Sequence, residues 1–311
     1  MEIFSTGPQS KDVEQPEYLR RLSDVARWSE EAGHNGILIH SADETVDPWL
    51  VSRVILESTT TLCPVVAVQP AYMHPYTVAK MVATLGFLHG RRVCLNMLAG
   101  GFRSGLVASD GESPDDERYA RTVEYALIVK NLLAGGPVTF AGRYYTVTNL
   151  RMTPPLPEEL FPGILISGSS EAGLEAARTI GATAVRYPKP PGDEEDQRGE
   201  VIDTGIRVGV IARETGNEAW RVAHGRFPED RNGQNRHSLA MQEENPYWLW
   251  PFQSHSTFCP YLVGSYDRVG QELGSYMELG YKCFILDVPP SREELEHTSL
   301  AFAQAGPHAT R

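Results

Sequence analysis

The chain has 311 residues, 41% hydrophobic and 22% charged, with a formal net charge of −12 and a pI near 5.3. That suits one large α/β barrel or two ordinary domains, and the acidic balance without a basic block argues against nucleic acid as a partner. No apolar run approaches the ~18 residues of a membrane span, and Met1 to Lys11 lacks the segments of a secretion signal, so no membrane partner and a cytoplasmic location are expected.

Glu2 to Ser5 reads as a first strand, closed by Gly7, Pro8 and Gln9. Over Pro16 to Ala32, the residues Leu19, Leu22, Val25, Ala26 and Trp28 fall near one face, which predicts a helix stopped by Gly33. A strand is predicted at 36–40, a helix at 49–56, a strand at 63–68, a helix at 76–89 ended by Gly90, and a strand at 93–98. A long glycine- and acid-rich loop leads to a helix at 117–133. Residues 135–160 break the alternation. Val138 to Val147, with Ala141-Gly142 in the turn, reads as a hairpin, and a link through Pro154, Pro155 and Pro157 follows it.

Next, Ile164, Leu165 and Ile166 form an apolar run of strand length. Ser167-Gly168-Ser169-Ser170 follows, and then Ala172, Leu174, Ala176, Ala177 and Ile180 recur at helical spacing. Strand, tight turn of small residues and helix place N–H groups and serine hydroxyls at a positive helix end, where a phosphate fits. The same serines serve equally as a plain N-cap. Strands are predicted at 182–187, 206–212 and 283–286, and helices from 217 to 224, 267 to 279 and 291 to 303. Residues 225–260 read as an irregular, aromatic loop or mobile lid. The stretch from Pro188 to Gly205 is rich in proline, glycine and acid and lacks an apolar stripe, so a loop is expected there in place of an outer helix. The apolar barrel surface beneath it is expected to be covered by a second subunit.

About eight apolar, non-alternating strands interleaved with helices predict one (βα)8 TIM-type barrel over residues 1–311, with a hairpin and linker insertion at 135–160 and one shortened or missing outer helix. In such barrels the site lies at the C-terminal ends of the strands. Cys63, Cys94, Cys259 and Cys283 show no C-x-x-C spacing and are expected as buried, reduced thiols. The nine histidines form no ligand cluster, so no metal site is expected.

Several segments together carry a resemblance: Gly36-Ile37-Leu38-Ile39 with Asp47-Pro48-Trp49-Leu50, Leu95-Asn96-Met97-Leu98-Ala99-Gly100, Glu117-Arg118-Tyr119, Phe140-Ala141-Gly142-Arg143-Tyr144-Tyr145, Ser167-Gly168-Ser169-Ser170, Gly205-Ile206-Arg207 and Leu262-Val263-Gly264-Ser265. In their order and spacing the chain resembles the bacterial luciferase-like flavin monooxygenases, closest to the alkanesulfonate monooxygenase branch. The resemblance implies a barrel that takes reduced FMN from an NAD(P)H-dependent flavin reductase, forms a C4a-peroxyflavin with O2, and oxygenates a small molecule. By position, Tyr119, Gly168, Ser169 and Ser170 match the phosphate site, and Gln69, Asn96 and Ala99 match contacts to the isoalloxazine ring. Arg207 is kept at a polar site position, where its charge calls for a substrate or cofactor anion or a salt bridge to Asp287 or Glu200.

Elsewhere the chain departs from that branch. Asp115, Thr45, Gly209, His255 and Pro289 stand where relatives carry a histidine, a cysteine, a histidine, an arginine and a tyrosine. The sulfonate chemistry is therefore not expected to carry over. Arg207 and His255 are the catalytic candidates, with His255 as a general acid or a solvated loop residue. His40, Thr45, Trp49 and Tyr187 are the substrate-pocket candidates, and Tyr247, Trp248, Trp250 and Phe252 form either a lid or a satellite core. Two further functions fit the same barrel: a deazaflavin-dependent oxidoreductase and a non-catalytic flavin-binding relative.

Overall fold

The structure, a computed structural model, describes residues 1–42, 44–99, 115–168, 170–228 and 245–306. In chain order these residues form β1 (Glu2–Thr6), α1 (Glu17–Glu31), β2 (Gly36–Ile39), α2 (Pro48–Ser58), β3 (Cys63–Val68), α3 (Pro75–His89), β4 (Cys94–Met97) and α4 (Asp115–Leu133). The hairpin β5 (Val138–Ala141) and β6 (Thr146–Leu150) follows, then β7 (Ile164–Ser167), α5 (Glu171–Ile180), β8 (Thr183–Arg186), β9 (Thr204–Arg213) and α6 (Gly216–Arg226). The chain continues with β10 (Tyr247–Trp248), α7 (Trp250–Gln253), β11 (Tyr261–Ser265), α8 (Tyr266–Glu278), β12 (Cys283–Leu286) and α9 (Arg292–Ala303).

Strands β1, β2, β3, β4, β7, β8, β9 and β12 pair in parallel, and β9 meets both β8 and β12, which closes the sheet into an eight-stranded barrel. Successive strand residues point to opposite faces. Phe4, Leu38, Val65, Cys94, Leu165, Val185, Cys283 and Ile285 fill the inside. Their neighbours Ile37, Val66, Leu95, Ile166 and Phe284 pack outward under the helices. Burial on both faces explains the non-alternating apolar runs. Most helices start from a side-chain cap just past a strand: Asp47, His74, Ser170, Thr215, Ser265 and Ser291 each accept from a backbone N–H of the first turn. The caps at the start of α2, α3 and α5 therefore gather at the barrel mouth.

β9 is ten residues long and serves two partners. Gly205–Val208 pairs with β12, while Gly209–Arg213 pairs with β11, outside the closed barrel. The sequence reading left Tyr261–Ser265 unassigned. It is a strand, short and interrupted by Gly264, and it earns its pairing from the overhang of β9 rather than from its own pattern.

No α-helix lies between Tyr187 and Asp203, where one 3-10 turn, Pro191–Asp193, stands instead. The loop itself packs on α8 and the turn after it. Tyr276 OH donates to Lys189 O at 2.6 Å, Tyr281 OH to Glu194 Oε2 at 2.8 Å, and Gln197 N to Leu279 O at 2.7 Å. Of its large apolar side chains, Tyr187 and Val201 remain exposed. The β5–β6 hairpin is pinned to α4 by Glu124, whose carboxylate accepts from the backbone N–H groups of Arg143, Tyr144 and Tyr145. Among the described residues no helix is long and apolar enough to cross a membrane.

A buried polar chain joins α1 to β1. Ser29 Oγ donates to Ser5 Oγ at 2.8 Å, and Ser5 Oγ lies 2.7 Å from His34 Nδ1. Burial pulls the His34 pKa down to about 4. The unfolded chain takes that proton near 6.5, so stability is whole above about pH 6.5 and declines as pH falls toward 4. We expect about 2 kcal/mol less stability at pH 5 than at pH 7 from this group alone. Urea denaturation of the wild type and of His34→Gln at both pH values checks it, and equal pH losses in the two proteins would contradict it.

Candidate active site

Two clusters lie at the C-terminal ends of the strands. The first lies where β4 and β7 end. Asn96 is buried, and its Oδ1 accepts from Ser167 Oγ at 3.1 Å. Tyr119, near the start of α4, donates its hydroxyl to Ser167 O at 3.3 Å. That hydroxyl lies against the first turn of α5. A Cβ on Gly168 would collide with it, and one on Gly173 would meet it at 3.1 Å. Glycine at both positions is thus what lets a phenol sit at the positive end of the helix.

Ser170 Oγ accepts from Gly173 N at 3.2 Å, so the plain cap is realised, and its hydroxyl hydrogen remains free to point outward. The nearby Glu171 carboxylate is held by Arg178 at 3.3 Å. N–H groups, two hydroxyls and no unpaired carboxylate among the described side chains suit a phosphate, so these residues fit the phosphate end of FMN. Ser169 lies outside the described residues, as do Gly100 and the side chain of Asp115. Gln69 and Ala99 each follow the last β3–β4 bond, Leu98 N to Val68 O at 2.9 Å, and so flank Asn96 on the same edge.

The second cluster centres on Arg207 of β9. Its Nη2 lies 2.8 Å from His40 Nε2. A guanidinium only donates, so Nε2 accepts and the ring hydrogen is on Nδ1. Burial, then the charges of Arg207 and Lys11, hold the His40 pKa well below its usual value. Phe258 stacks on both, 5.2 Å from the guanidinium carbon and 4.5 Å from the imidazole centroid. Neither expected salt bridge forms. Glu200 binds Arg178 at 3.1 Å, and Asp287 accepts from Tyr261 OH at 2.8 Å and from Val288 N at 2.9 Å. Among the described residues Arg207 has no ion pair, and its buried Nε has no hydrogen-bond partner. A cation held by a neutral ring and an aromatic face is set up to receive an anion.

The remaining candidates scatter. Tyr187 stands at the mouth, its ring 4.7 Å from that of Phe252. Thr45 closes its own turn, with Oγ1 bonded to both N and O of Ala42. Trp49 is 3% exposed in the core beneath α2, so it is not a pocket wall. His255 is exposed, at φ 58° in the turn after α7. Of the four aromatics read as lid or core, Trp248 and Trp250 belong to a satellite core with Trp220 and Phe227, and Tyr247 OH ties to Pro188 O.

Sequence reasoning missed Phe258 and Tyr261. They line a cavity of about 200 Å³ with Gln9, Thr257 and Asp287 beside the Arg207 cluster. The aromatic pair around Cys259-Pro260 was the available signal, hidden by its place in a stretch read as irregular.

An α/β barrel with a glycine-walled helix start and a guanidinium without an ion pair among the described residues, both at the C-terminal ends of its strands, has the layout of a barrel enzyme. Residues 1–283 match the luciferase-like monooxygenase family, and the chain belongs to it. Over 308 residues it is 32% identical to the 4-(gamma-L-glutamylamino)butanoyl-[BtrI acyl-carrier protein] monooxygenase BtrO of Niallia circulans, covering 91% of this chain and 90% of that one. Its fold is similar to that of the EDTA monooxygenase EmoA from Chelativorans sp. BNC1, with a TM-score of 0.75 at 15% identity over 100% of this chain and 96% of that one. It is also similar to the riboflavin lyase RcaE, solved with modified FMN, with a TM-score of 0.74 at 16% identity over 98% and 92%. The match is to the family as a whole and does not single out an alkanesulfonate branch. The chain is a monooxygenase of this family.

Proposed function

We propose that the chain is the oxygenase of a two-component system: it takes reduced FMN from a separate NAD(P)H-dependent flavin reductase in the cytoplasm and uses O2 to oxygenate an acidic acyl compound. Bound, the flavin would supply the electrons and, through its C4a adduct with O2, the oxygen atom. The chain's residues do the rest. The N–H groups of the α5 turn, Ser170 and Tyr119 hold the phosphate, and Asn96, Gln69 and Ala99 line the ring edge. Arg207 receives the substrate's anionic group, His40 fixes the guanidinium, and Phe258, Tyr187 and Phe252 keep water from the mouth.

The observation that carries this reading is the pairing of a glycine-walled turn at a helix start with an arginine that has no counter-ion among the described residues. The likeness to a relative named for a 4-(gamma-L-glutamylamino)butanoyl-[acyl-carrier protein] substrate supports an acyl substrate delivered on a carrier protein. We also infer a homo-oligomer, because Leu50, Phe87 and Leu88 leave large apolar side chains exposed on α2 and α3. Sedimentation as a monomer at micromolar concentration would exclude it.

Arg207→Met separates the two halves of the site. For an acidic substrate we expect KM or Kd to rise by about 30- to 150-fold, roughly 2–3 kcal/mol for a lost charge-assisted hydrogen bond. Reduced-FMN affinity should stay within about 3-fold, since the contacts of Arg207 are to His40 and Phe258 and not to the cradle residues. Anaerobic titration with reduced FMN and with reduced deazaflavin gives the cofactor preference in the same experiment. Tighter binding of the deazaflavin would overturn the FMN assignment, and an unchanged KM would remove Arg207 from substrate binding.

A further inference from the structure

Three cysteines that the sequence scatters over three strands converge inside the N-terminal end of the barrel, opposite the mouth. Cys63 opens β3 and Cys94 opens β4, and their Sγ atoms are 3.3 Å apart, with the Cys63 thiol donating. Cys94 Sγ packs against Gly163, with the positive Arg92 guanidinium beside it. Gly163 makes the room. A Cβ there would meet Arg92 Nη2 at 2.5 Å and Cys94 Sγ at 3.2 Å.

The donating Cys63 thiol and the nearby positive charge favour a thiolate. The hydrogen bond from Cys63 leads, and with Arg92 it outweighs burial to draw the Cys94 thiol below its ordinary value. The donating Cys63 is pushed well up by the same bond and by burial. Cys283, fully buried behind them, is also pushed up by burial and stays a thiol. Both Cys63 and Cys94 line a cavity of about 400 Å³ with Thr60, Thr61, Arg91 and Arg92. Cys63 is partly exposed and Arg92 stands at the solvent rim, so small polar reagents have a path to the pair. Nothing in the oxygenation chemistry uses this end of the barrel.

We propose that Cys94 and Cys63 form a peroxide-reactive dithiol at the floor of the barrel, with Cys94 as the nucleophile and Cys63 as the resolving thiol. The oxidant is hydrogen peroxide, which reduced flavin releases when O2 reoxidises it without oxygenating a substrate. The Cys94 thiolate attacks one peroxide oxygen, the O–O bond breaks, and hydroxide leaves, so Cys94 becomes a sulfenic acid. The Cys63 sulfur then attacks the Cys94 sulfur and the S–O bond breaks. The departing hydroxide takes the Cys63 proton to leave as water. In sum, two thiols and one peroxide give one disulfide and two waters. The modification stands independently of the oxygenase reading, because the peroxide can be added directly.

The test uses the full-length protein, reduced and freed of reductant, then treated with a few equivalents of hydrogen peroxide. It is alkylated under denaturing conditions and mapped without reduction by mass spectrometry. The expected product is a Cys63–Cys94 linked peptide pair, two hydrogens lighter and restored by dithiothreitol, with Cys259 and Cys283 recovered as alkylated thiols. In Cys63→Ser the reaction should stop at a Cys94 sulfenic acid that dimedone traps. Arg92→Met should slow loss of the Cys94 thiol by about 10-fold. Four free thiols after peroxide, a bridge through Cys259 or Cys283, or an unchanged rate in Arg92→Met would each overturn the assignment.

Discussion

Gly168→Ala is expected to weaken reduced-FMN binding by at least about 100-fold, close to 3 kcal/mol, the cost of overpacking a filled contact and displacing a hydrogen-bonded phenol. The new methyl would land on the Tyr119 hydroxyl and ring. That hydroxyl donates to Ser167 O and stands over the first turn of α5. On its other side Tyr119 borders Gly173, where even an added Cβ would come within 3.1 Å of the hydroxyl. The phenol must therefore leave the cradle, or the turn that carries the N–H groups must shift. Either way the phosphate loses donors. The barrel should remain folded, since Gly168 lies in the turn past β7 and its one printed tie to a neighbouring strand, Gly168 N to Val185 O at 3.1 Å, is a backbone bond that alanine can also make. Gly199→Ala, where a Cβ meets nothing within 4 Å, is the control and should bind as the wild type does. Fluorescence titration under anaerobic conditions, with melting temperature read alongside, distinguishes lost binding from lost fold. Wild-type affinity in Gly168→Ala would remove this cradle from the flavin site.

The second large effect is an absence of turnover. Supplied with reduced FMN, O2 and simple alkanesulfonates, the protein is expected to release no sulfite above the rate without protein. The resemblance to the alkanesulfonate branch puts polar groups at positions that here hold Thr45, Gly209, His255 and Pro289. The structure shows why three of these contribute nothing. Thr45 Oγ1 is committed to Ala42. His255 is exposed in a left-handed turn. Position 209 has no room for a side chain, because the Tyr261 ring occupies the space a Cβ would need. Pro289 offers neither a side-chain donor nor an N–H. Arg207 alone can hold one anionic group, and losing groups that act as a unit costs several orders of magnitude in rate. A thiol-reactive dye assay for sulfite reads the outcome. Clear turnover would mean that the scaffold, rather than those side chains, carries desulfonation.

The barrel was legible because its strands are buried on both faces and its helices carry local start and stop signals. Asp47, Ser170, Gly90 and Gly181 mark ends that the structure keeps. The missing outer helix was equally legible, since Pro188, Pro190, Pro191 and Gly192 forbid it whatever packs nearby. Its consequence was not. Tyr276 and Tyr281 donate to the loop from residues about 87 positions away along the chain, and no local pattern announces such partners. The same limit hid Tyr261, whose value lies in the overhang of β9 and in Asp287, and Phe258, which matters only because it stacks on Arg207 and His40. Trp49 shows the converse error. It follows the second strand as a pocket residue would, but on α2 its side chain turns inward to the core. The Cys63–Cys94 pair was invisible for a geometric reason. Neighbouring parallel strands bring together residues that chain order separates by a whole crossover.

A barrel that binds reduced FMN and directs its reaction with O2 toward oxygenation must change how the flavin reacts with O2. Stopped-flow absorbance on the protein premixed with reduced FMN and then mixed with O2 reads that change. We expect a transient flavin–oxygen species, distinct from both reduced and oxidised flavin, that decays more slowly than free reduced FMN autoxidises, and that loses its stabilisation in Gly168→Ala. Conversion straight to oxidised flavin at the rate of free FMN, with no intermediate phase in the wild type, would contradict it.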